Sequence, residues 1–162
     1  MAAPVKVALP ITDMVLSVFS DQYFMGEALK EAQKAFDADE VPVGAVVVCN
    51  NRIISRGHNL TERLHDPTAH AEMMAITAAT HALGGKYLPD CTIYITLEPC
   101  VMCAGALNWA QMGKVVFGAS DPKRGYSCLA PLALHPRTEV THGLMADDSA
   151  ELVRRFFATK RK

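Results

Sequence analysis

The chain has no apolar run long enough to span a membrane, although half of its 162 residues are hydrophobic. Its longest strongly apolar stretch, Val41 to Cys49, is far shorter than the roughly 20 residues that cross a bilayer, and Pro42 interrupts it. The N-terminus also lacks the clustered basic start and the cleavage site of a secretion signal. We therefore expect no membrane partner and a cytoplasmic location. Residues 1–20 are interpreted as an N-terminal extension, for which disorder is one interpretation.

Neither sign of charge dominates, since 16 Lys and Arg stand against 17 Asp and Glu. Net charge therefore gives no argument for a nucleic-acid partner, but residues 154–162 contain five basic residues and no acid. The five cysteines are an odd number, and without a secretion signal they are better explained as thiols or metal ligands than as a disulfide framework. The length favours one domain, residues 21–162.

Apolar residues recur at helical and at strand spacing in alternating segments of the chain. The predicted helices cover residues 23–38, 66–84, 99–113 and 147–159. The predicted strands cover residues 43–49, 52–55, 91–96 and 114–119, with a two-residue turn between the first two and a loop at 120–136. This alternation predicts an α/β sandwich in which helices pack on the faces of a central sheet.

Two short motifs carry the chemistry of the chain: His70-Ala71-Glu72, and Pro99-Cys100 followed by Cys103. Either motif alone is weak evidence, because paired cysteines have many uses and a lone histidine in a helix is often structural. Together they form the H-x-E and P-C-x-x-C signature of zinc-dependent nucleobase deaminases. Cysteines three residues apart lie on one helix face and can bind one zinc ion. With His70 they make three ligands and leave a fourth tetrahedral position for water.

A purely structural zinc site is the alternative. A fourth protein ligand would close the site, and the candidates are His65, His81, Cys91 and Cys128. Glu72 argues against this alternative, because a carboxylate two residues from a ligand in the first helical turn can reach a metal-bound water and transfer protons. This role of Glu72 requires the second helix to begin near Asp66, since residues two apart deeper in a helix point apart.

The chain resembles the bacterial tRNA-specific adenosine deaminases, a family of the cytidine and deoxycytidylate deaminase superfamily that makes inosine at the anticodon wobble position. The resemblance rests on EVPVGAVVV at 40–48, HDPTAHAE at 65–72, TLEPCVMCAGA at 96–106 and VVFGASD at 115–121. It implies a three-layer α/β/α sandwich with a central mixed five-stranded sheet, as in cytidine deaminase. It also implies one zinc ion per subunit, a homodimer, and a tRNA anticodon stem-loop as partner.

The resemblance also implies roles for residues outside the zinc motif. Asn59 would hydrogen-bond the target purine, and the Val43 segment and the Ala71 backbone would contact the base. Asp121 and the pair Phe156-Phe157 would approach the RNA strand. On the residues alone, Asn59 could be a turn residue, and helical spacing makes at least one of the two phenylalanines a core residue. The candidates for phosphate contacts, each of which could equally be a solvated charge, are Lys123, Arg124, Arg154 and Arg155.

The implied reaction is a hydrolytic deamination. Zinc lowers the pKa of a water toward about 7, Glu72 transfers protons, and the water oxygen replaces the amine at C6 of adenine. Two other enzymes share the signature, a guanine deaminase that acts on the free base and a deoxycytidylate deaminase. A zinc-stabilised RNA-binding protein without catalysis is a third alternative, and it would leave Glu72 unexplained.

Overall fold

The centre of the computed structural model, which describes residues 20–161, is a five-stranded sheet. Its strands are β1 (Gly44–Cys49), β2 (Arg52–His58), β3 (Cys91–Leu97), β4 (Lys114–Ala119) and β5 (Glu139–His142). Their order across the sheet is β2-β1-β3-β4-β5. β1 runs antiparallel to β2 and β3, whereas β4 runs parallel to β3 and β5. The prediction of a mixed five-stranded sheet is therefore confirmed.

Helices cover both faces of the sheet. They are α1 (Asp21–Asp37), α2 (Thr61–Leu64), α3 (Ala71–Leu83), α4 (Val101–Trp109), α5 (Tyr126–Leu129) and α6 (Ala146–Lys160). α1 and α6 contact each other and pack on one face, and α3 and α4 pack on the other. This arrangement confirms the predicted α/β/α sandwich.

Strand β1 shows why both faces are covered. Its alternate side chains point to opposite faces of the sheet. Ala45 and Val47 belong to the core beneath α3, and Val46 and Val48 pack with Phe24 of α1. Burial on both faces explains why this strand is continuously apolar in sequence instead of alternating with polar residues.

The second long helix begins later than the sequence predicts. α3 starts at Ala71, not at Asp66, because the preceding residues form the short α2 and a turn. Within that turn, the Asp66 carboxylate accepts hydrogen bonds from the backbone and hydroxyl of Thr68, both at 2.8 Å. Asp66 therefore caps a turn instead of α3.

Two further differences concern short elements. The sequence-based strand list omitted β5, whose four residues are all exposed and show no apolar pattern. Helix α5 lies within the predicted loop at 120–136. The third long helix, α4, spans only Val101–Trp109 of the predicted 99–113.

No helix within residues 20–161 is long and apolar enough to cross a membrane. The predicted N-terminal extension lies outside the described residues except for Ser20, whose side chain accepts a hydrogen bond from the Tyr23 backbone at the start of α1.

Candidate active site

Two helix starts bring the motif residues together. His70 is the N-cap residue of α3 and Cys100 is the N-cap residue of α4, and both have extended backbone conformations. Neither side chain caps its own helix, so both are available as ligands. Cys103 lies in the first turn of α4. The prediction that His70 and Cys100 lie within their helices was therefore wrong by one residue, since both precede the first helical residue.

Gly57 allows α3 to approach the sheet closely. A Cβ atom at Gly57 of β2 would lie 2.5 Å from the Ala71 carbonyl oxygen and 2.8 Å from the Ala75 nitrogen. Only glycine leaves room for the helix backbone at this distance. The start of α3, and with it His70, is therefore held directly against the strand backbone.

The three candidate ligands fit a zinc ion. The His70 Nδ1 atom lies 3.6 Å from the Cys100 Sγ atom and 3.5 Å from the Cys103 Sγ atom. Tetrahedral zinc with bonds of about 2.3 Å to sulfur and about 2.0 Å to nitrogen would hold such ligand atoms about 3.5 Å apart. The side chains are thus already placed at the spacing that a single zinc ion requires.

No fourth protein ligand joins this cluster within residues 20–161. The metal-binding set there consists of His70, Cys100 and Cys103, whose ligand atoms all lie within 4.8 Å of one another. The candidates for a closed structural site, His65, His81, Cys91 and Cys128, are not members of it. An imidazole and two thiolates with an open position are typical of catalytic zinc, not structural zinc.

Electrostatic coupling among the ligands shifts their pKa values in different directions. Hydrogen bonds from Cys103 and then from His70 hold the pKa of the Cys100 thiol far below its usual value, at about 4. The hydrogen bond with Cys100 raises the pKa of His70 and, together with burial, that of Cys103. These shifts favour the deprotonated form at Cys100 and the protonated forms at His70 and Cys103, and zinc binding would displace the latter protons.

Glu72 lies beside the ligands and is nearly inaccessible, with 4% of its surface exposed. Burial raises the pKa of its carboxyl group, which also interacts with the Cys103 thiol. A carboxyl group with a raised pKa can accept a proton and return it near neutral pH. Because α3 begins at Ala71, Glu72 occupies the first turn, as its predicted role requires.

One cavity of about 730 Å³ is lined by the buried Glu72 and the half-buried His70 and Cys100. Four exposed cations also line it: Lys123, Arg124, Arg154 and Arg161. The volume lies within the range of small-ligand pockets, about 300 to 1,000 Å³. A polar catalytic end and a basic mouth fit a ligand that combines a small reacting group with phosphates.

Comparison with known proteins agrees with this geometry. The family model of the cytidine and deoxycytidylate deaminase zinc-binding region matches residues 19–119. The tRNA-specific adenosine deaminase of Agrobacterium fabrum is 44% identical over 144 residues, which cover 86% of this chain and 95% of that protein. The chain belongs to the tRNA-specific adenosine deaminase family.

Two solved structures are also similar to this chain. One, from a study of A-to-I editing by tRNA:A34 deaminases, is 43% identical, has a TM-score of 0.75, and is matched over 80% of this chain and 98% of that one. The guanine deaminase of Bacillus subtilis is 35% identical with a TM-score of 0.60, over 72% of this chain and 71% of that one. The ligand set and the matched zinc-binding region identify the cofactor of this deaminase as one zinc ion per chain.

The three residues predicted to contact the base lie next to one another. The Asn59 backbone N–H donates to the Val43 carbonyl at 3.3 Å, and the Ala71 backbone N–H donates to the Asn59 side-chain oxygen at 2.7 Å. Asn59 and Val43 line the cavity. The bond from Ala71 fixes the orientation of the Asn59 amide and uses the Ala71 N–H, so a base contact at Ala71 would have to share or replace that bond.

The predicted RNA-contact residues differ in accessibility. Phe157 lines the cavity and is 42% exposed, whereas Phe156 is 6% exposed and packs against Phe36. Asp121 also lines the cavity, and one of its carboxylate oxygens accepts the backbone N–H groups of Lys123 and Arg124, at 3.1 and 3.0 Å. Of the two phenylalanines, Phe157 is therefore the one that a ligand in the cavity can contact.

Sequence reasoning did not name Glu98 among the ionisable residues of the cavity, and it named Arg161 only as part of the basic C-terminal segment. It named Arg155 as a phosphate candidate, but that guanidinium lies over the Phe36 ring and is not part of the cavity lining. An acidic residue at the end of an apolar strand could have pointed to Glu98. No sequence signal distinguished Arg161 from the other cations of the C-terminal segment.

Replacing Asn59 is expected to weaken both the binding of the base and the hydrogen bonding at the start of α3. Asn59→Ala should lower kcat/KM by about 5- to 150-fold, equivalent to roughly 1 to 3 kcal/mol, because a buried donor to the base is lost and the Ala71 N–H loses its acceptor. The measurement is steady-state kinetics with zinc content determined on the same sample. Asn59→Asp is the matched control: it keeps the acceptor for Ala71, so it should restore thermal stability but not kcat/KM. Unchanged kcat/KM in Asn59→Ala would reduce this residue to a turn-forming one.

Proposed function

We propose that the protein hydrolyses adenosine to inosine at the wobble position of a tRNA anticodon and releases ammonia. The observation that carries this proposal is the cluster of three zinc ligands beside the buried Glu72, at a cavity that is also lined by four exposed cations. The substrate is supported by relatives named tRNA-specific adenosine deaminase at 42 to 44% identity over most of the chain. A tRNA substrate would place the enzyme in the cytoplasm.

The chain's own residues account for binding and proton transfer. His70, Cys100 and Cys103 would hold zinc, which supplies the Lewis acidity that makes water a nucleophile near neutral pH. Glu72 would take one proton from the attacking water and pass it to the ring nitrogen, and would then pass the second proton, from the hydroxyl formed at C6, to the departing amine. Asn59 would orient the purine so that C6 faces Glu72. The low accessibility of Glu72 limits proton exchange with bulk water during the reaction.

Recognition of RNA would begin at the mouth of the cavity. A base stacked in an anticodon loop cannot reach Glu72, so the nucleotide must be extruded from the strand. The exposed ring of Phe157 offers a surface on which a neighbouring base can stack, and the cations at the mouth can contact phosphates. These contacts would offset the few kcal/mol that extrusion costs.

A guanine deaminase acting on the free base is the second candidate, because the Bacillus subtilis enzyme shares 35% identity and the fold. A substrate panel distinguishes the candidates. Ammonia release should be fastest with an RNA anticodon stem-loop containing wobble adenosine, and slow or absent with adenosine, adenine, guanine and deoxycytidylate. If guanine were the best substrate, the tRNA proposal would fail. If the stem-loop bound without ammonia release, the protein would be a binding module.

The cation at the end of α6 gives a test of the phosphate contacts. Arg161 lines the cavity, whereas Lys160 pairs with the Asp39 carboxylate. Arg161→Ser should weaken stem-loop binding and lower the slope of log Kd against log salt by about 0.7 to 0.9, because about one fewer counterion is released. Arg52→Ser, at the far end of β2 from Asn59, is the matched control and should change neither quantity. The same salt slope in Arg161→Ser as in the unmodified protein would show that this side chain contacts no phosphate.

The functional unit is proposed to be a homodimer. Large apolar side chains are exposed on α4 and on the segment that follows α5, among them Trp109 at 85% and Leu132. Asn108 of α4 holds this segment by donating to the Ala133 carbonyl at 2.9 Å, so the two exposed regions lie close together. An apolar surface of this kind is typical of an interface.

Trp109 provides the test of the dimer. Trp109→Glu should convert the protein from dimer to monomer at micromolar concentration in sedimentation velocity, because a charge cannot be buried in an apolar interface without a partner. Tyr23→Glu, at an exposed position of α1 on the opposite face of the sheet from α4, is the comparison and should leave the dimer intact. A monomeric unmodified protein, or a dimeric Trp109→Glu variant, would contradict the proposed interface.

A further inference from the structure

Glu98 is a buried carboxylate between β3 and the zinc ligand Cys100 that the reaction described above does not use. It is 6% exposed, lines the cavity, and follows directly after the last residue of β3. Its backbone N–H donates to the Ala119 carbonyl at 2.8 Å, so its position is fixed by the parallel pair β3 and β4. A carboxylate buried at this depth requires an explanation, because desolvation of a charged group is costly.

The Glu98 side chain contacts the segment of residues 120–127, which supplies much of the cavity wall. Its Oε1 atom accepts a hydrogen bond from the Ser127 hydroxyl at 2.8 Å. Its Oε2 atom is buried and has no hydrogen-bond partner within residues 20–161. That atom lies 1.2 Å from the position that a Cβ atom would occupy at Gly125, so any side chain at residue 125 would collide with it.

The same contact joins the 120–127 segment to the metal site. Gly125 forms an isolated antiparallel bridge with Cys100, and the Tyr126 backbone N–H donates to the Pro99 carbonyl at 2.9 Å. The carboxylate therefore lies where the backbone that carries a zinc ligand meets the backbone that carries Asp121, Lys123 and Arg124 to the cavity. A substitution of Glu98 would therefore first affect the conformation of the 120–127 segment.

We propose that Glu98 is a positioning residue for RNA recognition, whose carboxyl group holds the 120–127 segment against the Cys100 backbone so that its cavity-lining residues face the RNA. The inference rests on the proposed function, because it assigns the segment to RNA binding. Glu98 touches neither the ligand atoms nor Glu72 through any hydrogen bond among the described residues. Removal of the Glu98 carboxyl group should therefore weaken substrate binding and leave the rate of the chemical step unchanged.

Glu98→Ala and Glu98→Gln together test this role. In Glu98→Ala, KM for the stem-loop should rise about tenfold, the value of one lost hydrogen bond, with kcat changed by less than about twofold. Glu98→Gln should stay close to the unmodified protein. Its amide oxygen can still accept from Ser127, and its NH₂ group can donate to the Asp121 carbonyl, which lies 2.5 Å from the same Cβ position at Gly125.

Three further measurements separate positioning from general destabilisation. Stem-loop affinity measured in a Glu72→Gln background should fall with Glu98→Ala as KM rises. Amide hydrogen exchange at Lys123 and Arg124 should accelerate, while zinc content stays at one per chain. Thr138→Ala, which removes a comparable bond from the Thr138 hydroxyl to the Met112 carbonyl at 2.7 Å, is the control and should leave KM and exchange in the segment unchanged.

Each contrary result has a definite meaning. A large loss of kcat in Glu98→Gln would show that the carboxylate takes part in proton transfer, and unchanged KM and exchange in Glu98→Ala would show that it positions nothing. If Glu98→Ala fails to fold, Ser127→Ala serves as the second variant and should raise KM in the same direction. If the unmodified protein does not deaminate the stem-loop, the proposed function fails, while the exchange measurement still tests whether Glu98 holds the segment.

Discussion

Glu72→Gln is expected to keep its zinc and its fold and to lose activity by about 10²- to 10⁴-fold in kcat, the usual contribution of a positioned proton-transfer group. The amide has nearly the same shape as the carboxyl group but cannot accept a proton. Glu72 is buried, and its carboxyl group interacts with the thiol of the zinc ligand Cys103. Single-turnover deamination of the stem-loop, with zinc and stem-loop affinity measured on the same preparation, is the appropriate assay.

The control for this variant is Glu139→Gln, which removes an exposed carboxylate on β5 and should leave kcat unchanged. Turnover within tenfold of the unmodified protein, with zinc retained, would mean that another group transfers the proton. Loss of zinc in Glu72→Gln would instead indicate that the carboxylate helps to hold the metal. Glu72→Gln is therefore predicted to bind the RNA tightly without deaminating it.

Cys103→Ser is expected to reduce zinc content from one per chain to near zero and to abolish measurable deamination. The Cys103 thiol is fully buried and lies 3.5 Å from the His70 ring, and a serine hydroxyl is a far weaker zinc ligand than a thiolate. Loss of the metal should also lower the thermal unfolding temperature, because metal binding contributes to folding stability. Elemental analysis and thermal unfolding of the same sample test both effects.

The remaining cysteines provide matched controls. Cys49 and Cys91 face each other across β1 and β3, and Cys128 is exposed on α5. Serine at any of these three positions should leave zinc at one per chain, because none belongs to the ligand cluster of the described residues. Loss of zinc from one of these variants, or its retention in Cys103→Ser, would show that the ligands are misassigned.

The zinc ligands could be predicted from sequence because their chemistry depends on short, local spacing. Cysteines three residues apart at a helix start must lie near each other, and the motif with His70 supplies the third ligand. The helix boundaries were harder to predict from the sequence. Asp66-Pro67 is a strong helix-start signal by itself, but Asp66 caps a turn in the structure and α3 begins five residues later. The sequence does not show whether Asp66 caps a helix or a turn.

Elements stabilised by distant contacts escaped prediction for a different reason. Strand β5 has four exposed residues and gains its structure from pairing with β4, so no local pattern marks it. The roles of Gly57 and Gly125 also depend on chain segments far away in sequence. The sequence left open which phenylalanine of the final pair is buried, and the packing of Phe156 on Phe36 resolves this.

The proposed function depends on hydrolysis of adenosine within RNA by this zinc site. The most direct test incubates the zinc-loaded protein with a wobble-adenosine stem-loop in ¹⁸O-labelled water and analyses the RNA by mass spectrometry. The predicted result is one labelled oxygen at C6 of the wobble nucleoside for each ammonia released, and no label in the Glu72→Gln variant. The proposed function would be contradicted if the zinc-containing protein readily deaminated guanine but left the RNA unlabelled.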